Sequence, residues 1–198
     1  MKKPLHILYL ARWYPHKFDN MYGLFVKRHA EAAAFKHQIS VFYVHACDHL
    51  ETKKEIEIKK GFINEYYYYY RKAKTGIRFL DSFLNNWNFI LGNFALRRKI
   101  YKPDLIHVHI LTRLGVLAYF FNKWSNIPYI ITEHSSRYQN GNKEYSGFLR
   151  KYLTRVVTSN ASALTTVSMN LKETMEKHRI KNDHHYIIYN VADTKVFF

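Results

Sequence analysis

One cysteine, Cys47, stands in a chain of 198 residues. A lone thiol forms neither an internal disulfide nor a multi-thiolate metal site, so a disulfide-stapled scaffold and a zinc ribbon are excluded, and Cys47 reads as a small buried apolar residue. Long apolar runs are missing as well: no stretch of 18 or more apolar residues occurs, so no segment is expected to cross a bilayer as a helix. Arg12 interrupts the first apolar segment and no small-residue cleavage site follows it. That argues against a signal peptide and sets the expected location in the cytoplasm. No G-x-G-x-x-G follows the first strand pattern and no G-x-x-x-x-G-K-[ST] occurs, which leaves nicotinamide and P-loop chemistry without support. Internal repeats and low-complexity linkers are absent apart from five tyrosines at 66–70.

Acidic residues are scarce: 15 Asp and Glu face 31 Lys and Arg, a formal charge of +16. Such a field implies an anionic partner, and nucleic acid, an anionic membrane surface and a phosphate-bearing substrate all satisfy it. Aromatics are abundant, with 17 Tyr and 14 Phe. Mixed with lysine and arginine they suit a lipid headgroup layer, sugar stacking, or an aromatic core. Lys53, Lys54, Lys59, Lys60, Arg71, Lys72, Lys74 and Arg78 surround the tyrosine run. The patch reads either as a surface for an anionic bilayer or acidic acceptor, or as a solvated strand pair with exposed tyrosines. No RNA-binding or zinc-finger pattern accompanies it, so nucleic acid is the least favoured partner.

Strand and helix patterns alternate along the chain, as parallel α/β sheets require. Strands are predicted at 5–11, 39–45, 55–58, 62–70, 105–110, 129–132, 163–167 and 186–189. Helices are predicted at 24–36, 75–101, 113–124, 148–158 and 170–177, with Ser168 placed to cap the last. Segment 50–75 is expected to be a hairpin-like insertion, and 135–147 a loop. In the long helix, Leu80, Phe83, Leu84, Trp87, Leu91 and Phe94 recur at helical spacing and are predicted to face the core. The expected fold is one Rossmann-like domain over 1–198: a doubly wound, mostly parallel sheet with helices on both faces. Ligands of such sheets bind beyond the carboxyl ends of the strands. That rule nominates the loop after Ala11, the end of the strand carrying His107 and His109, the turn Glu133-His134-Ser135, and Asn190.

Each place carries a bland reading beside the functional one. Tyr22-Gly23 precedes a helix, where a glycine lets the backbone approach a phosphate at the helix N-terminus, or simply makes a turn. His107 and His109 share a strand face, which suits a metal, a buried hydrogen-bonded histidine, or a substrate contact by His109; no third ligand at zinc spacing follows. Glu133-His134 sits at a strand end, where functional side chains concentrate.

Several segments, in order, resemble the amino-terminal domain of family 4 glycosyltransferases of the GT-B fold. They are Trp13-Tyr14-Pro15 with Gly23-Leu24-Phe25-Val26 and His29-Ala30, then Pro103-Asp104-Leu105-Ile106-His107-Val108-His109, and Ile127-Pro128-Tyr129-Ile130-Ile131-Thr132-Glu133-His134. Leu164-Thr165-Thr166-Val167-Ser168 and the segment from Ile188 to Phe197 complete the set. The resemblance implies one half of a GT-B architecture, with the carboxy-terminal nucleotide-sugar domain absent. It implies a retaining, metal-free transfer from a nucleotide diphosphate sugar to a cell-surface glycan or lipid-linked acceptor at the inner membrane face, and an isolated half that is inactive. It assigns the catalytic contact to the transferred sugar to His134, and the donor side to Tyr22 and Gly23. Arg12, Trp13, His109, Glu133 and Ser135 fall on the acceptor side, and Asn190 at the hinge. Two positions depart from the family pattern: Tyr22 replaces the first of a glycine pair, and Asn190-Val191-Ala192-Asp193 replaces N-G-V-D. The uncovered face of such a half is expected to promote self-association. The rival reading is a stand-alone Rossmann-like module that binds an anionic polymer or membrane without catalysis.

Overall fold

The computed structural model describes residues 3–111, 113–138 and 145–190. Eight strands alternate with five α-helices: β1 His6–Ala11, α1 Leu24–Ala34, β2 Gln38–Cys47, β3 Lys54–Lys59, β4 Asn64–Arg71, α2 Arg78–Arg97, β5 Leu105–His109, α3 Arg113–Ser125, β6 Tyr129–Glu133, α4 Phe148–Ser159, β7 Ala163–Thr166, α5 Met169–Lys177 and β8 His185–Ile187. The fold is α/β and Rossmann-like, with a mostly parallel sheet. The chain divides into two compact units, Met1–His107 and Val108–Phe198, the boundary falling inside β5.

In the first unit the strand order is β3-β4-β2-β1-β5. β1 and β2 pair in parallel with Ile7 opposite Ile39 and Tyr9 opposite Val41, all buried. Runs of this kind, apolar on both faces, are what a central parallel strand needs. Asp104 pins the start of β1: its side chain accepts from the His6 N–H at 2.8 Å, and its own N–H donates to the His6 carbonyl at 2.8 Å. The Pro103-Asp104 punctuation therefore fastens the entry of β5 to that of β1.

The segment predicted as an insertion is built into the sheet: β4 pairs in parallel with β2, and β3 lies antiparallel on β4 at the edge. Tyr66, Tyr67, Tyr68, Tyr69 and Tyr70 are all buried, which overturns the reading of an exposed tyrosine surface. Because successive strand residues point to opposite faces, the run serves two layers. Tyr67 and Tyr69 stack with ring centroids 6.0 Å apart inside the cluster that holds Tyr14 and Tyr43, whereas the Tyr70 hydroxyl donates to the Asn85 carbonyl of α2 at 3.0 Å. Charged β3, with Lys54, Glu55 and Lys59, blunts the open edge.

Helix α2 corrects a second expectation. It runs from Arg78 to Arg97, shorter than 75–101, and its buried residues are Phe89, Gly92, Asn93 and Leu96. Of the predicted core stripe, Leu80, Phe83, Trp87, Leu91 and Phe94 are exposed and Leu84 is half-buried. The sequence shows two apolar faces here, and periodicity alone does not say which one meets the sheet. Gly92 decides it: a Cβ there would lie 2.6 Å from Tyr68 Cδ1 and 2.9 Å from Val44 Cγ1, so this is where the helix touches β2 and β4.

In the second unit the order continues β5-β6-β7-β8, with β6, β7 and β8 parallel. Leu114, Leu117, Ala118 and Phe121 of α3 recur at the spacing of one helical face and are buried. The Tyr129 hydroxyl of β6 donates to the Val157 carbonyl of α4. Ser168 caps α5 as predicted, its hydroxyl accepting from the Leu171 N–H at 3.2 Å. The predicted 135–147 loop opens with a short 3-10 turn, Ser136–Tyr138. No helix among the described residues is long and apolar enough to cross a membrane.

Candidate functional site

The second unit gathers four of the predicted residues around one turn. Glu133 ends β6 with its carboxylate fully enclosed. Oε1 accepts from the N–H groups of His134 at 2.9 Å and Ser135 at 2.8 Å, and Oε2 from the Leu111 N–H at 2.9 Å and the Tyr138 hydroxyl at 3.1 Å. Burial pushes its pKa up, and Arg137 together with these donated bonds pulls it back. Four donors on two oxygens leave Glu133 nothing to offer an acceptor sugar. Its work is internal, because it fixes the backbone that carries His134 to the end of β5.

His134 is the half-buried member of the group, while His109 and Ser135 are buried. His109 Nδ1 and His134 Nε2 lie 3.3 Å apart, with ring planes 20° from parallel. One nitrogen donates and the other accepts, so the pair sets both tautomers together. The Ser135 hydroxyl accepts from Arg137 Nε at 3.0 Å and from the Arg137 N–H at 3.3 Å, which closes the turn.

Sequence reasoning missed Ile110. This fully buried, β-branched residue has φ 70°, a left-handed conformation that such side chains rarely adopt. Its N–H donates to the Thr132 carbonyl at 2.9 Å. The kink ends β5 immediately after His109 and aims the next N–H, that of Leu111, at Glu133. Strain of this kind concentrates at ligand sites. No local pattern marks an isoleucine for it. Tyr138 was missed too, being an ordinary loop aromatic until its hydroxyl is seen on the carboxylate.

The first unit places Arg12, Trp13, Tyr22 and Gly23 in and around the loop between β1 and α1. Gly23 is the N-cap of α1 at φ 66°, and a Cβ there would fall 2.3 Å from the Trp13 carbonyl carbon. The glycine is thus required by the close approach of the 13–14 peptide. Trp13 meets Tyr22 and Phe25 edge-on at 6.4 and 6.2 Å, and the Asp19 carboxylate accepts from the Met21 and Tyr22 N–H groups at 2.9 and 3.1 Å. Beside the loop, His16 and His45 lie 4.3 Å apart, with His45 Nδ1 at 2.9 Å from the Tyr43 hydroxyl. An open hollow of about 730 Å³ lies on this unit, lined by Lys17, Asp19, Lys27, Lys59, Glu65 and Tyr67 among others, and none of the four predicted residues lines it. His107 packs its ring on Tyr9 at 4.8 Å. The described residues hold no group of three or more His, Cys, Asp or Glu placed to bind a metal. Asn190 is exposed, three residues past β8, and the rest of the predicted hinge segment lies outside the described residues.

A model of Glycosyltransferase Family 4 matches residues 23–196, nearly the whole chain, taking in the ends of β5 and β6. The chain belongs to Glycosyltransferase Family 4. Its fold also matches sucrose-phosphate synthase from Thermosynechococcus elongatus with a TM-score of 0.66 at 15% identity, over 98% of this chain and 50% of that one. A shorter chain of the same synthase matches with a TM-score of 0.55 at 15% identity, over 96% and 90% of the two chains. This Family 4 chain therefore spans half the length of the first solved structure it matches. No curated protein matches the sequence.

Proposed function

We propose that this glycosyltransferase domain is the acceptor-binding half of a retaining enzyme that moves a sugar from a nucleotide diphosphate sugar to a cell-surface glycan or lipid-linked acceptor at the inner face of the membrane. The observation that carries the reading is the Glu133 carboxylate, which accepts four hydrogen bonds and so fixes the turn that sets His134 against His109 at the end of β5. A buried anion spent wholly on positioning one histidine suits a site where geometry matters. In this reading His134 of the second unit contacts the transferred sugar and His109 the acceptor; within the first unit, Arg12 and Trp13 are assigned to the acceptor and Tyr22 and Gly23 to the donor. Asn190 leads to the hinge, beyond which a second domain holds the nucleotide without a metal. Glu133, assigned to the acceptor side by resemblance, acts by positioning, because its carboxylate is occupied within the turn, and Ser135 keeps its acceptor-side assignment.

The test is sugar transfer from a panel of labelled nucleotide sugars to a membrane extract by this domain joined to its carboxy-terminal partner domain. Transfer with retained anomeric configuration, abolished by His134→Ala and absent from the 198-residue chain alone, is expected. Transfer unaffected by His134→Ala overturns the assignment, and transfer by the isolated chain overturns its inactivity.

A further inference from the structure

The apolar face that α2 turns away from the sheet is too large to leave unexplained. Phe79, Phe83, Trp87, Ile90, Leu91 and Phe94 are exposed by 39% to 83%. At 100° per residue they fall within an arc of about 120°, directly opposite Phe89, Gly92 and Leu96, and they run for about 22 Å along the helix. Their exposed area is on the order of 600 Å², the upper limit of the largest patch on an ordinary monomer. Basic residues bound the stripe: Arg78 at its start, and Arg97, Arg98, Lys99 and Lys102 at its end. The helix holds one acid, Asp81, and its carboxylate is turned into the N-terminal turn, accepting from the Thr75 N–H at 2.6 Å and the Thr75 hydroxyl at 2.8 Å.

We propose that this face of α2 is a docking surface for an anionic lipid bilayer. The helix lies in the interface, with its aromatic rings among the upper acyl carbons and Arg78, Arg98 and Lys99 at lipid phosphates. The inference deepens the membrane-side part of the proposed function and rests on that part of it. Charge selects the occupant. A second copy laid on the stripe brings the basic ends of two helices together in either orientation, where like charges repel, whereas a plane of lipid phosphates meets all of them favourably. The aromatic composition fits the same partner, since Phe and Trp beside Arg and Lys are the side chains that settle at headgroup depth. The tyrosine run, buried in the sheet, leaves α2 to supply this surface.

Vesicles of phosphatidylglycerol and phosphatidylcholine, compared with phosphatidylcholine alone, test the proposal on the 198-residue chain. Co-sedimentation with the anionic vesicles only, and quenching of Trp87 by lipids brominated in the acyl chain, are expected; Trp87→Phe removes most of the quenching. A Phe83→Asn, Trp87→Asn, Phe94→Asn variant should bind roughly tenfold or more weakly while keeping its circular dichroism. No binding to anionic vesicles, equal binding to both lipids, or unchanged binding by the triple variant overturns the proposal. If the triple variant fails to fold, unquenched Trp87 in the parent chain overturns it alone. A dimer that the triple variant abolishes, with no vesicle binding, assigns the stripe to a second copy instead. The outcome separates from the catalytic reading, because His134→Ala leaves vesicle binding unchanged and failure to bind vesicles leaves sugar transfer in detergent standing.

Discussion

Glu133 and Gly23 show how little freedom individual positions have near the predicted site. Glu133→Gln keeps the shape of the side chain but turns an amide toward donors, so two of the four donors on the carboxylate lose their acceptor in a dry environment. A loss of about 3 kcal/mol in unfolding free energy is expected by urea denaturation. A variant as stable as the parent would show that the carboxylate does not organise the turn. Gly23→Ala combines a left-handed backbone with a Cβ placed 2.3 Å from the Trp13 carbonyl carbon, and backbone cannot yield as a side chain can. It should cost about 2–4 kcal/mol, measured the same way, and a cost under about 1 kcal/mol would mean the loop relaxes freely. His45 adds a pH dependence. Burial, then His16, Lys72 and Arg12, hold its pKa down to about 4, against an upward pull from Asp48. With a folded pKa below the unfolded value of about 6.5, the unfolded chain takes the proton first. The stability tied to neutral His45 is complete above pH of about 6.5 and declines as pH falls toward 4. His45→Asn should flatten that decline in the urea midpoint, leaving a residual slope from His6 and His16, whose pKa values burial also lowers.

The two faces of α2 carry the clearest test of how an element is seated. Gly92→Ala pushes a methyl into Tyr68 and Val44 and should cost about 1–3 kcal/mol, whereas Phe83→Asn on the outer face should change stability by about 0.5 kcal/mol or less. Equal costs in thermal denaturation would mean that the helix is seated the other way. Here the sequence misleads for a physical reason: a helix with two apolar faces has no single hydrophobic direction, and the small residue that permits close approach is weaker evidence by pattern than six large ones. The tyrosine run misleads in the same way, since tyrosine serves both wet surfaces and cores, and only the register of β4 between β2 and β3 shows it enclosed. Elements with one unambiguous signal were legible. The strands β1, β5 and β6 are short apolar runs between turn residues, and Ser168 sits one residue before an amphipathic helix. The site was legible to the extent that its residues stand at strand ends. Its wiring was not, because a carboxylate on β6 finding the Leu111 N–H depends on a strained Ile110 that no local preference foretells.

Across the whole molecule, an excess of 16 positive charges acts on folding and on binding with opposite sign. The ion pairs that oppose it, such as Lys17–Glu55 at 2.7 Å and Lys72–Asp48 at 2.9 Å, lie at the surface, where each contributes little. Self-repulsion therefore outweighs them, and screening should raise the thermal midpoint as sodium chloride increases from low to moderate concentration. The proposed binding to an anionic bilayer would draw on the same charges facing lipid phosphates and should weaken over the same range. The opposed slopes are diagnostic, because a chain that leaves vesicles by unfolding would lose structure and binding together. A thermal midpoint that falls with salt while binding also falls would place the charges in stabilising pairs, and the +16 would no longer mark a surface held ready for an anionic partner. A rising midpoint with falling binding, and with Trp87 still quenched at low salt, separates attraction at the basic ends of α2 from burial of its aromatic stripe.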